Sequence, residues 1–197
     1  LGLERIDAGQ LPPTLDTVDL APLLQQCLQA SAALAQLHRV QLPDPQALAL
    51  PGRVMADRER LKQVLLNLLS NAIQYNRGGG QGGVTAARDG DVLRITVSDT
   101  GPGLDEAQKE HLFHAFERLG ADRGAVDGAG IGLALSKRLV ELMNGHIGLD
   151  SEVGVGSRFW VRLACADRDP VAPADEAAGH AGTVLYIEDN PVNLLLM

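Results

Sequence analysis

The sequence predicts an α/β fold, and three observations carry that prediction. Two stretches, "GVTAARDGDVLRITVSDTG" (83–101) and "HIGLDSEVGVGSRFWVRLA" (146–164), alternate apolar and polar residues on either side of turn residues, the pattern of β-hairpins. Between and before them lie helical patterns with apolar residues three and four apart. Hydrophobic residues make up 45% of the 197 and aromatic residues 3%, so any core must be aliphatic.

The elements follow in order. Residues 1–9, "LGLERIDAG", look like the last turns of a helix stopped by Gly9, and 10–18 form an extended linker with paired prolines. "DLAPLLQQCLQASAALAQLHR" is a helix that Asp19 can cap, with Pro22 in its first turn. "RVQLPD" and "GRVMAD" are short strand candidates. Asp57 begins a long helix that ends near Tyr75, and "NRGGGQGG" breaks it. After the first hairpin, "DEAQKEHLFHAF" is a short helix and "RLGADRGAVDGAGIG" has no periodicity. "LALSKRLVELMN" is a helix stopped by Gly145, and the second hairpin follows. Residues 164–182 are rich in Ala, Pro and Asp without apolar periodicity, which marks a linker. From 183 to 197, "TVLYIEDNPVNLLLM" begins something new: a buried strand, an acidic turn and the start of a helix. The first residue is not Met and the end is abrupt, so the chain reads as a piece of something longer.

Net charge is −8, which argues against sequence-independent nucleic-acid binding and requires any anionic ligand to be held by local donors. Cys27 and Cys165 sit in no metal-type spacing and weakly suggest a reducing compartment. No apolar run approaches the about 20 residues needed to span a bilayer, and no signal peptide opens the chain. The five histidines, His38, His111, His114, His146 and His180, are scattered; His111 and His114 share a helix face without a third ligand nearby.

Four short stretches carry candidate chemistry. In "LLNLLSNAIQYN" (65–76), Asn67 and Asn71 are one helical turn apart on a helix destined for a core, where a buried amide without a partner is costly. "DTGPGL" (99–104) places a carboxylate at the exit of a strand, with two glycines where the backbone must bend. "DGAGIGLALSK" (127–137) sets Gly128, Gly130 and Gly132 before a helix, which can make an anion cradle of bare amides at a helix N-terminus. It is neither a dinucleotide fingerprint, since no strand enters it directly, nor a P-loop, since the GK[ST] ending is missing. "EVGVGSRFWVRL" (152–163) adds a glycine turn between two strands. Alone, each is explained by an ordinary turn, cap or surface amide; the set, in this order, is not.

The order "LLNLLSNAIQYN", "DTGPGL", "HAFERL", "GAGIGLALSK", "GVGSRFWV" closely resembles the ATP-binding catalytic domain of bacterial sensor histidine kinases, within the superfamily shared with gyrase, Hsp90 and MutL. The resemblance covers about residues 19–163. It implies a two-layer α/β sandwich, the Bergerat ATP-binding fold, with a mixed, largely antiparallel sheet covered on one face by three main helices. "LERIDAG" looks like the end of a dimerisation and phosphoacceptor helix, and "VLYIEDNPVN" like the start of a receiver domain whose Glu188 and Asp189 would hold magnesium. Together they imply a hybrid histidine kinase.

The same resemblance implies the site. Asn71 would bind the magnesium that bridges the ATP phosphates, assisted by Asn67, and Tyr75 would pack against the adenine or ribose. Asp99 would accept a hydrogen bond from the adenine amino group, while Gly101 and Gly103 let the backbone pass close to the base. Gly128, Gly130 and Gly132 would admit the phosphates, with amides at the start of the helix from Leu133 as donors, and Arg118 would reach a phosphate. Ser157 would complete the adenine end through its hydroxyl or a water. Residues 117–130 would form a mobile lid, with Phe113 and Phe116 packing its root. Many relatives carry Lys where this chain has Gln74, so that phosphate contact is missing or is supplied by Lys137, Arg77 or Arg118. Hydrolytic members carry a Glu at the position of Asn67; an amide cannot activate water, which favours transfer to a protein acceptor.

The implied cofactors are ATP and Mg2+. The implied partners are the upstream dimerisation and phosphoacceptor helices, a receiver domain of the same or another chain, and a second copy in a homodimer, with no nucleic acid. The acceptor histidine would lie upstream of Leu1, and the location would be cytoplasmic, with any membrane anchor outside these residues. The rivals are a superfamily ATPase and a degenerate nucleotide-binding scaffold.

Overall fold

The computed structural model describes residues 12–46, 52–112 and 132–166. The expected dimerisation-helix end, the 117–130 lid with Arg118, Gly128 and Gly130, the second linker and the receiver start all lie outside them, apart from the first residues of that linker, 164–166.

In chain order the elements are β1 (Asp16–Asp19), α1 (Leu20–His38), β2 (Arg53–Ala56), α2 (Arg58–Gln74), β3 (Gly82–Asp89), β4 (Val92–Asp99), α3 (Glu106–His111), α4 (Gly132–Leu142), β5 (His146–Glu152) and β6 (Gly156–Ala164). The two expected hairpins are β3–β4 and β5–β6, and they join through β4 and β6 into an antiparallel sheet of order β3-β4-β6-β5. β1 and β2 pair separately, so the end of the expected 10–18 linker is a strand. "RVQLPD" forms no strand of its own. It contributes a single parallel bridge, Gln41 to Gln81, the one parallel pairing among the described residues.

The sheet has an inner and an outer face because side chains alternate along each strand. Leu93, Ile95 and Val97 of β4 and Phe159, Val161 and Leu163 of β6 point inward and are buried. Against them pack Leu61, Val64, Leu65, Leu68, Leu69 and Ala72 of α2, Leu139 and Val140 of α4, and Leu20, Leu23, Leu24 and Leu28 of α1. The result is the two-layer α/β sandwich, its helices on one face of the sheet. Phe159 is the one aromatic in this cluster, as the composition required.

Capping sets the helix limits. Asp57 is the N-cap of α2 and accepts from the Arg60 amide at 3.1 Å; Asp19 caps α1 by accepting from Ala21 at 3.3 Å. Asp105 and Gln108 form a reciprocal capping box at α3. No described helix is long and apolar enough to cross a membrane.

Candidate functional site

α2 is the floor of the site. Its apolar stripe faces the core, and Asn67 and Asn71, one turn apart, lie on a half-buried flank of it. The start of α4 and the turn after β4 dock onto this flank at different heights. Near the middle of α2, Asn67 donates from Nδ2 to the Ser136 hydroxyl of α4 at 2.9 Å. Gly132, at the start of α4, comes so near that a Cβ there would lie 2.5 Å from Asn67 Oδ1. At the end of α2, the turn after β4 packs on Tyr75 and Asn76: a Cβ on Gly101 would lie 2.7 Å from the Tyr75 carbonyl oxygen. Residues 67 and 75 are separated by eight helical steps, about 12 Å. Asn71 lies midway, and among the described residues its carboxamide makes no hydrogen bond.

The turn after β4 is held from three sides. Asn76 Nδ2 donates to the Gln81 carbonyl at 3.0 Å, and the Thr100 hydroxyl donates to Asn76 Oδ1 at 3.3 Å while accepting from the Gln81 amide at 2.9 Å. Gly103 has φ +69°, and a side chain there would run into the Glu152 carbonyl of the β5–β6 turn. The Gly154 amide donates to the Pro102 carbonyl at 2.7 Å, and the Leu104 amide to the Ser151 hydroxyl at 2.9 Å. "DTGPGL" is thus clamped between the end of α2 and the second hairpin.

Asp99 sits inside this clamp. Its Oδ1 accepts from the Gly101 amide at 2.8 Å. Burial pushes its carboxyl above the usual aspartate range, against the opposing pull of the backbone N–H groups of Gly101 and Ser157. A partly desolvated carboxylate with two donors still favours a further donor, which is the condition for recognising an N–H group on a ligand. Replacing Gly101 with alanine would set a methyl 2.8 Å from Asp99 Oδ1 and 2.7 Å from the Tyr75 carbonyl. Gly101→Ala is expected to destabilise the chain by about 1–3 kcal/mol, the usual cost of overpacking, read as a lower denaturant midpoint at unchanged slope.

The other expected site residues fall as follows. Tyr75 caps the C-terminal end of α2 and is 59% exposed, free to meet a ring. Leu133 is partly buried against the core. Ser157 pairs with Asp99 in the β4–β6 register and touches it through its amide; its buried hydroxyl is turned to Ser151 at 2.9 Å. Ser151 also lies 3.0 Å from the Gly156 carbonyl, to which it donates, so the Ser157 hydroxyl belongs to the scaffold of the turn. Gly132 has the added task of clearing space for Asn67. Among the described residues no group of three or more His, Cys, Asp or Glu could hold a metal ion.

Sequence reasoning missed Ser136, Ser151, Thr100 and Gln81. Ser136 had a signal: it occupies a core position of α4 together with Leu139 and Val140, where a polar residue needs a partner. Ser151 had none, because its contacts depend on how the second hairpin meets a turn distant in sequence.

Residues 56–167 match the family described as histidine kinase-, DNA gyrase B-, and HSP90-like ATPase. The circadian input-output histidine kinase CikA of Synechococcus elongatus is 37% identical over 195 residues, covering 96% of this chain and 26% of CikA. The sensor histidine kinase GacS of Pseudomonas protegens is 39% identical over 176 residues, covering 83% of this chain and 18% of GacS. The chain thus spans about a quarter or less of the length of these relatives. Among solved structures, full-length ShkA in complex with AMPPNP superposes with a TM-score of 0.69 at 32% identity, over 82% of this chain and 33% of ShkA. Asn67, Asn71, Asp99 and Gly101 all fall inside the matched span, on the helix and strand exit where Gly132 and Gly101 make their close approaches. The chain belongs to the histidine kinase-, DNA gyrase B- and HSP90-like ATPase family, and its relatives within that family are sensor histidine kinases.

Proposed function

We propose that this chain is the ATP-binding catalytic domain of a two-component sensor histidine kinase, of the hybrid type, which transfers the ATP γ-phosphoryl group to a histidine upstream of Leu1 for relay to a receiver aspartate. The observation that carries this reading is the arrangement along α2. Gly132 and Gly101 seat on it about 12 Å apart, a length suited to a nucleotide. Between them stands the Asn71 carboxamide, which makes no hydrogen bond among the described residues.

In this reading Asp99 accepts from the adenine amino group and Tyr75 covers the base. Gly101 and Gly103 shape the turn beside it. Gly128, Gly130, Gly132 and the amides from Leu133 onward meet the phosphates, with Arg118 as a further donor. Asn71, assisted by Asn67, holds Mg2+. Carboxamide oxygens suit a hard cation that keeps several of its waters, and the unused Asn71 amide fits that role. A bound Mg2+ would neutralise phosphate charge; the chain supplies position, fixed donors and a base-selective acceptor. ShkA, similar over most of this chain, was solved with AMPPNP, which supports a nucleotide here. Asn67 at the floor offers no general base for water, so transfer to a protein acceptor is favoured over hydrolysis. The partners that follow are the upstream helices, a receiver domain and a second copy of the full-length protein, on the cytoplasmic side where ATP is available.

The test is phosphorylation of the chain extended upstream, with [γ-32P]ATP and Mg2+. The expected product is a protein phosphate lost in acid and kept in alkali, as a phosphohistidine is. Rapid release of free phosphate instead would identify an ATPase, and ATP binding without either product would identify a nucleotide-binding scaffold.

A further inference from the structure

We propose that Ser136 is a positioning residue for Asn67, holding that carboxamide in place against the start of α4. The proposal rests on the reading of Asn67 as part of a Mg–ATP site. Ser136 sits on the buried stripe of α4 with Leu139 and Val140, and only 2% of it is exposed. Alanine would serve both the helix and the packing better there. A hydroxyl at such a position needs a hydrogen-bond partner, and the partner is Asn67 Nδ2, 2.9 Å away.

An asparagine carboxamide presents an oxygen on one side and an NH2 on the other, and rotation about its last torsion exchanges them. Only the oxygen can assist a cation. The Ser136 contact occupies the NH2 and leaves Oδ1 against Gly132, one turn earlier on α4. There the missing Cβ makes room for it: with any side chain at 132 the two atoms would lie 2.5 Å apart. Two features of α4, a hydroxyl at 136 and a bare backbone at 132, therefore hold one carboxamide of α2 in place. The same contact ties the first turns of α4 to α2 by a side-chain hydrogen bond.

The experiment compares the wild-type chain with Ser136→Ala and Ser136→Thr by ATP titration calorimetry, with Mg2+ and with EDTA. It adds 15N NMR of the Asn67 side-chain amide in the free chain. Ser136→Ala is expected to lower ATP affinity in Mg2+ about three- to tenfold, the range for one neutral hydrogen bond, and to leave affinity in EDTA unchanged. Ser136→Thr, which keeps a hydroxyl, is expected to restore the magnesium-dependent part. The Asn67 NH2 protons should exchange slowly in wild type and faster in Ser136→Ala. Unchanged affinity in Mg2+ would overturn the proposal. So would an equal loss in Mg2+ and EDTA accompanied by a lower melting temperature, which is the mark of a purely structural serine. If wild type itself binds ATP without magnesium dependence, the metal reading of Asn67 falls. The amide exchange then decides the positioning alone: faster in Ser136→Ala supports it, unchanged overturns it.

Discussion

Asp99→Asn is expected to weaken ATP binding about tenfold or more while making the ligand-free chain more stable at neutral pH. The two effects have opposite signs because the carboxylate is held at a cost. Burial pushes its pKa above the ordinary 3.8, so ionisation is harder in the folded chain than in the unfolded one. For an acid raised in this way, the favourable contribution is complete below the unfolded pKa and is lost as pH rises through the folded one. At neutral pH the wild type has lost it. Asparagine has no charge to desolvate, and its oxygen can still accept from the Gly101 amide at the same place. The melting temperature of Asp99→Asn should therefore exceed that of wild type at pH 7, and the gap should narrow as pH falls below the folded pKa. Binding changes the other way. A hydrogen bond to a charged acceptor is worth about 1.5–3 kcal/mol, and an amide can turn its NH2 toward the adenine amino group. Calorimetry that shows equal ATP affinity in both chains would remove Asp99 from the adenine contact. A mutant that melts lower at pH 7 would show that the carboxylate stabilises the turn instead.

The hairpins, the three long helices and their caps were legible in the sequence because each rests on a local rule. Alternation around Asp89–Gly90 reads as a hairpin wherever the strands later pack, and Asp57 caps α2 whatever α2 lies on. The glycine motifs were legible as places of close approach. What each glycine approaches was not. Gly132 was expected to admit a phosphate, and it also clears the Asn67 carboxamide. That depends on the packing of α4 against α2, between residues 65 apart in the chain. Ser157 shows the same limit. It was expected to complete the adenine end through its hydroxyl or a water; what the sequence did not show is that the β5–β6 register sets that hydroxyl opposite Ser151 and that the amide reaches Asp99. "RVQLPD" reads as a strand by composition. Only Gln41 finds a partner, at the edge beside Gln81.

Asn71→Ala is expected to remove the magnesium dependence of ATP binding and to leave the fold intact. The structure separates the two carboxamides of α2 by what they do for the protein itself. Asn67 satisfies the buried Ser136 hydroxyl, so Asn67→Ala would orphan it and should destabilise the chain by about 1–3 kcal/mol. Asn71 differs: among the described residues its carboxamide makes no hydrogen bond, and its backbone carbonyl accepts from the Tyr75 amide at 3.0 Å. Alanine at 71 therefore leaves no partner unpaired and improves helix propensity by about 0.5 kcal/mol. Its melting temperature should equal or slightly exceed that of wild type. Binding should change sharply, because the amide oxygen is a cation ligand that a methyl group cannot replace. The measurement is ATP affinity in Mg2+ and in EDTA for both chains, beside thermal melts. Wild type should bind more tightly in Mg2+, and Asn71→Ala should bind with the same affinity in both. If the mutant keeps the wild-type difference, Asn71 is not a metal ligand. If it melts well below wild type, the carboxamide has a structural task, and its free position on α2 no longer argues for a ligand.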